Sequence, residues 1–248
     1  MRALSLVGIV AFTVASLVLG VKLLRLGRRT RELPELAMGA SFAASGGLGF
    51  PCIMAAALMH AAGADPTVGH WVGSVGIWCL SAGSLLLAIG NWRIYRPSSR
   101  AAYAGVVAMG LALAASCGAA SISDDSAPGG LREVALWIAL EIGAVAFVWG
   151  AVEAFALYDT LRRRARIGLA RAEVANRVLL WGIGGVAAAA MSLYSLGQRI
   201  VIGPELDDAQ RMVTSIFGMV GATAVWLAFF PPVAYRRLFD TAATREHA

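Results

Sequence analysis

The sequence predicts an all-α polytopic membrane protein, a single domain over residues 1–248 with seven transmembrane helices, its N-terminus outside and its C-terminus cytoplasmic. Three observations carry that expectation. The chain is 58% hydrophobic with a mean hydropathy of +0.70, whereas a soluble domain holds about 45–50% apolar residues. Its apolar residues gather into seven runs, at 3–24, 37–62, 70–92, 101–121, 133–157, 177–197 and 211–235, each near the ~20 residues that carry a helix across a bilayer. Its 21 basic residues crowd into alternate connections.

That crowding sets the orientation. Lys22, Arg25, Arg28, Arg29 and Arg31 follow the first run, Arg93, Arg96 and Arg100 the third, Arg162, Arg163, Arg164, Arg166, Arg171 and Arg177 the fifth, and Arg236, Arg237 and Arg245 the seventh. Only Arg2, Arg132, Arg199 and Arg211 fall on the other side. Basic loops stay in the cytoplasm, so the N-terminus is outside. A net charge of +6 and a pI near 9.8 would suit nucleic acid if the arginines shared a soluble surface. In gaps between apolar runs they determine topology instead, and the partner they imply is the bilayer.

The first run has one basic residue ahead of it and no small-x-small cleavage site, which reads as a retained helix rather than a leader. The second contains SGGLGFP, with Gly46, Gly47, Gly49 and Pro51 near its middle. Proline removes a backbone donor and crowds the preceding turn, so a kink or broken turn is expected there. It serves either a discontinuous helix at a binding site or close packing through small residues. The fourth run, AAYAGVVAMGLALAASCGAASI, is uncharged and rich in small residues, which suggests a packed interior helix or an interface in a homo-oligomer. The seventh ends in AFFPPVAYRRLF, where Pro231 and Pro232 terminate the helix. LAIGNWRIYRP from Leu87 and LAFFPPVAYRR from Leu227 share a Leu-Ala pair and a Tyr-Arg pair at the same spacing. A parallel repeat of three helices, a linker helix and three more would produce that match.

Ionisable groups within hydrocarbon need partners and mark sites. The fifth run holds WIALE, Trp137 to Glu141, and WGAVE, Trp149 to Glu153. Four-residue spacing sets each tryptophan beside its glutamate, while the separation between the two sets turns the helix by about 120° and advances it about 18 Å. The carboxylates therefore serve separate levels and form no catalytic dyad. Glu153 lies near the cytoplasmic end, within reach of Arg93 or of Arg162, Arg163, Arg164 and Arg166, for ion pairing or partner contact. Glu141 lies deeper, in the outer half, where it is either protonated, bonded to hydroxyls such as Ser192 and Tyr194, or part of a polar site with Trp137.

His60 and His70 fall near the depth of Glu141, and two imidazoles with a carboxylate would suit zinc or non-haem iron, two histidines haem. No HExxH motif supports this, and no cofactor is the default expectation. Cys52, Cys79 and Cys117 lie far apart inside apolar runs and read as fillers. Asp124, Asp125, Glu205, Asp207 and Asp208 gather in outer loops that are solvated or attract a cation.

The layout is similar to that of microbial rhodopsins and G-protein-coupled receptors in topology alone. The only lysine, Lys22, ends the first helix, so a retinal Schiff base on the seventh is excluded. The three-plus-one-plus-three sugar transporters share the orientation, without their Pro-Gln motif. RRRARIGLARAEVANRVLLWG, Arg162 to Gly182, resembles a stretch of uncharacterised seven-helix proteins of proteobacteria. That resemblance implies a multi-pass protein of the bacterial inner membrane and no particular activity. Asn176 is the expected cap of the sixth helix, and Arg177 is expected to face lipid phosphate or a cytoplasmic partner.

These features lead first to a sensory or signal-relay protein, receptor-like, with a polar site in its outer half and basic loops offered to a cytoplasmic protein partner. The alternative is a small-solute or proton-coupled transporter of 3+1+3 layout. A further alternative is a metal- or haem-binding redox protein. An enzyme is the less favoured class.

Overall fold

The computed structural model describes residues 2–123, 130–202, 208–233 and 235. Among the described residues, seven helices are long and apolar enough to cross a membrane. They are α1 (Arg2–Thr30), α2 (Leu33–Ala61), α3 (Pro66–Tyr95), α4 (Arg100–Ile122), α5 (Leu131–Arg166), α6 (Ala172–Val201) and α7 (Asp208–Phe229). The acidic loop residues Asp124, Asp125, Glu205 and Asp207 and the tail arginines Arg236, Arg237 and Arg245 lie outside the described residues.

Local signals start and stop these helices. Asp65 caps α3, accepting from the Thr67 amide at 2.8 Å, and Pro66 occupies the first turn. Ser99 caps α4 in the same way. Gly168, at φ +74°, turns the chain after α5, a conformation that costs an L side chain energy. The basic stretch expected as a loop over 158–177 is mostly helix: α5 runs to Arg166 and α6 opens at Ala172. Alanine, leucine and arginine are strong helix formers, and arginines in a last turn complement the helix dipole. Asn176 is therefore inside α6 rather than its cap; its amide donates to the Tyr235 hydroxyl at 2.5 Å.

The expected irregularity of α2 is a π-helical turn over Ala43–Gly49. Pro51 has no amide to offer, and the wider turn gives the Phe50 amide the Ser45 carbonyl instead. Its glycines serve packing: a methyl on Gly46 would overlap Ser16 of α1, and one on Gly49 would stand 2.8 Å from the Leu80 amide of α3.

α1 packs on α2 and α7, α2 on α3, α3 on α5, α5 on α6, and α6 on α7. Six helices thus close a ring. α4 packs on α3 and α5, with Tyr103, Val107 and Leu111 exposed. It is a perimeter helix, not the interior one its small residues suggested; Gly105 and Gly118 have open space beside them.

Two heptad stripes on α3 build the core. Gly76, Gly83 and Gly90 let α2 approach, while Ser84 and Asn91 fit against Gly143 and Gly150 of α5. Asn91 is fully buried and donates to the Ala146 carbonyl at 2.9 Å. The ring closes between α1 and α7 at Lys22, whose ammonium donates to the Phe229 carbonyl at 3.0 Å and sits 3.8 Å from the centroid of the Phe230 ring. Prolines 231 and 232 cannot cap the last α7 carbonyls, and the chain's one lysine supplies a donor there.

The ring also repeats. Exchanging α1, α2 and α3 for α5, α6 and α7 leaves the order of neighbours unchanged. Particular contacts follow the exchange. Gly46 packs against Phe12 and Ser16, and Gly185 against Phe147 and Ala151. Gly20 packs on Ala43, and Phe155 on Gly182, the bulk moving from one helix to the other. Phe42, Ala43 and Gly46 keep the spacing of Trp181, Gly182 and Gly185; Phe12, Ser16 and Gly20 keep that of Phe147, Ala151 and Phe155. Phe42 and Trp181 are thus equivalent, and they meet edge to face across the ring at 6.0 Å between centroids. Ala88 and Ala228, from the paired Leu-Ala segments, are both buried.

Candidate functional site

Two regions hold the chemistry. The first is a groove between α5 and α6, toward the end of the bundle where α5 begins. It encloses about 450 Å³ and is lined by Glu133, Val134, Trp137, Ile138, Glu141, Ile142, Leu196 and Arg199. The α5 residues in it are spaced by threes and fours, so they form one face of the helix. That face is on the perimeter: Val134 and Ile138 are each 47% exposed, and the stripe continues through exposed Val145, Val148 and Val152. The opposite face, with Ala139, Gly143, Ala146 and Gly150, is buried.

Within the groove Ser192 donates its hydroxyl to Glu141 Oε1 at 3.0 Å. Trp137 lies one turn before Glu141 on the same wall. Tyr194 is not a partner of Glu141; its hydroxyl accepts from the Gln198 amide at 3.0 Å. Arg199 of α6 pairs with Glu133 and closes the rim of the groove. In the sequence Arg199 and Glu133 each read alone as a boundary charge, with nothing to single either out. Their juxtaposition depends on the antiparallel register of α5 and α6.

The second region is the arginine-rich end, where α1, α3 and α5 finish. Glu153 pairs there with Arg96 at 2.8 Å, and Trp149 donates its indole N–H to the same oxygen at 3.3 Å. Arg93, one of the expected partners beside Arg162, Arg163, Arg164 and Arg166, instead lies 4.4 Å from the centroid of the Trp92 ring. α3 ends at Tyr95, which leaves Arg96 at its C-cap, aimed at α5. Arg162, Arg163, Arg164 and Arg166 are exposed in the last turns of α5. Arg177 is held by Glu173 one turn earlier, at 2.5 Å.

The histidines do not assemble with Glu141. His70 has Nδ1 against the Arg132 guanidinium and Nε2 at 3.2 Å from the Ser121 carbonyl oxygen. His60 is exposed near the end of α2. Among the described residues no group of three or more histidine, cysteine, aspartate or glutamate side chains could hold a metal ion. The set of His60, His70 and Glu141 fails because His70 is committed to tying α3 to α4 and α5. Cys117 is buried and donates to Ser81 at 3.0 Å, a packing role.

No protein-family model, curated protein sequence or solved structure matches this chain.

Proposed function

We propose that the chain is a small-solute carrier of the bacterial inner membrane, with the N-terminus outside. It is built from two three-helix units, α1–α3 and α5–α7, joined by α4. The observation that carries the proposal is the repeated packing of the two units, with equivalent residues Phe42 and Trp181 meeting between them. Parallel repeats related by an axis along the membrane normal are a carrier architecture, in which one unit rocks against the other and the solute is held at their interface. α4 on the perimeter is then the linker that returns the chain to its starting side, so that the second unit runs parallel to the first. Phe42, Trp181 and Phe229 form the closed level of the interface, with Trp181 and Phe229 at 5.9 Å.

The carrier does not route its solute past Glu141, which faces the perimeter groove. Counterflow in proteoliposomes with a panel of labelled sugars, amino acids and organic acids tests the proposal. At least one solute exchanges, Phe42→Ala and Trp181→Ala change its rate in the same direction, and Glu141→Gln leaves it intact. Absence of exchange for the whole panel, with the protein folded and inserted, overturns the proposal.

A receptor-like reading is favoured by the same groove, because a carboxylate beside a tryptophan inside apolar walls is a ligand site. It adds a cytoplasmic protein partner on the exposed Arg162, Arg163, Arg164 and Arg166. Loss of partner capture when these four are neutralised would support it, and unchanged capture would count against it.

A further inference from the structure

The repeat singles out what the fold does not require. Corresponding helices in the two units pack through the same small-residue contacts, yet their polar content differs. In α1 no charged residue occurs between Arg2 and Lys22, and the stretch of α2 from Cys52 to Ala57 is uncharged. The matching stretches of α5 and α6, 137–157 and 191–196, carry Glu141, Glu153 and Ser192. The α1–α2 packing forms without such groups, so packing alone does not account for a carboxylate in the α5–α6 seam. An ionised carboxylate within hydrocarbon costs several kcal/mol when it lacks a cationic partner. Ser192 contributes one neutral hydrogen bond to one oxygen, and Arg199 is engaged by Glu133 at the rim.

We infer that the Trp137–Glu141 groove binds a lipophilic amine, an ammonium head on a single apolar tail, taken up sideways from the bilayer. The charge supports this occupant. Glu133 and Arg199 pair with each other at the rim, which leaves Glu141 as the acidic group inside the groove, able to carry a negative charge opposite a cation. An anion would meet that charge and a neutral alcohol would gain nothing from it. An ammonium meets the carboxylate with a charge-assisted hydrogen bond, and the electron-rich indole of Trp137 lines the same cavity. Glu141 lies about two turns inside the rim pair, too deep for the head group of a two-chain lipid at its interface but open to an amine already dissolved in the bilayer. Ile138, Ile142 and Leu196 line the head-group cavity, and the exposed stripe of Val145, Val148 and Val152 receives the tail. The site is independent of the carrier proposal, since it lies on the perimeter of one unit.

Native mass spectrometry of the full-length protein in detergent tests the site, with dodecylamine, dodecanol and dodecanoate as probes. The wild type binds one dodecylamine saturably and neither of the other two. Glu141→Gln, which keeps a hydrogen-bond acceptor for Ser192, weakens dodecylamine binding about tenfold or more, the expected loss of a charge-assisted contact. Trp137→Leu weakens it less, and neutralising the distant Glu153 with Glu153→Gln does not change it. Equal binding of the amine and the alcohol, unchanged binding to Glu141→Gln, or absence of an amine adduct on the wild type overturns the inference. Thermal unfolding of each variant without ligand separates loss of the site from loss of the fold.

Discussion

Replacing Gly46 by alanine probes the repeat at its tightest contact. A methyl there would overlap both Oγ and Cβ of Ser16, and Ser16 is 3% exposed. No rotamer of Ser16 removes its own Cβ, so α1 and α2 must separate. Overpacking of this kind costs about 1–3 kcal/mol, and the lower chain entropy of alanine returns about 0.5–1 kcal/mol. A net loss of about 1–2 kcal/mol follows, which lowers the unfolding midpoint by a few °C, at about 2–4 °C per kcal/mol for a chain of this size. Ser16→Gly removes both clashing atoms and leaves Phe12 Cε1 at 3.3 Å. The double variant therefore recovers most of the loss, with a coupling of about 1–2 kcal/mol. At the equivalent position, Gly185→Ala meets the Ala151 Cβ and the Phe147 carbonyl oxygen at 3.1 Å. A shift of a few tenths of an ångström relieves that contact, so its midpoint stays near the wild type. The assay is the fraction of detergent-solubilised protein that remains monodisperse after heating. A Gly46→Ala protein as stable as the wild type, or a Ser16→Gly change that adds to the loss, would refute this contact between α1 and α2.

Three other perturbations follow from single contacts. Asn91→Asp loses the donor to the Ala146 carbonyl and sets a carboxyl group at a position with no solvent exposure; it should cost several kcal/mol and abolish accumulation in membranes, whereas Asn91→Ala, which leaves a small void, should still accumulate. Arg96→Met leaves Glu153, whose side chain is 14% exposed, with only Trp149; it should destabilise by about 1–2 kcal/mol, between the values for exposed and buried pairs, and Glu153→Gln in the same background should restore part of that in a thermal shift. Lys22→Met uncaps the Phe229 carbonyl and should cost on the order of 1 kcal/mol, seen as earlier proteolysis at the α1–α7 seam; cleavage unchanged from the wild type would remove Lys22 from the account of ring closure.

The sequence made the number and approximate extents of the helices legible, because long apolar runs and alternating basic connections are each governed by a single physical constraint. Helix ends were less legible: arginines between 162 and 177 read as loop by charge, yet their helix propensity carried α5 and α6 through most of that stretch. α4 misled because small residues suit close packing without requiring it. At the site, the i,i+4 pairing of Trp149 with Glu153 followed from spacing alone, whereas the choice of Arg96 over Arg93 depended on where α3 ended. Glu141 was visible as an isolated charge, but the face it occupies and the Glu133–Arg199 rim are properties of packing between helices. The repeat left a short trace in the Leu-Ala and Tyr-Arg pairs of α3 and its partner segment. Its stronger marks, Gly46 with Gly185 and Phe42 with Trp181, emerge only when contacts are compared, since glycine and phenylalanine are common in any membrane helix.

The proposed carrier requires its two units to move against each other about the contact of Phe42 with Trp181. Thiol accessibility at that contact reads the motion. In a background with Cys52, Cys79 and Cys117 replaced by alanine, single Phe42→Cys and Trp181→Cys proteins in sealed vesicles are exposed to a membrane-impermeant maleimide. A moving interface gives labelling of both under native conditions, from the same side and at rates within a few fold of one another. A fixed core leaves both thiols unreactive until denaturant is added, and that result would contradict the account.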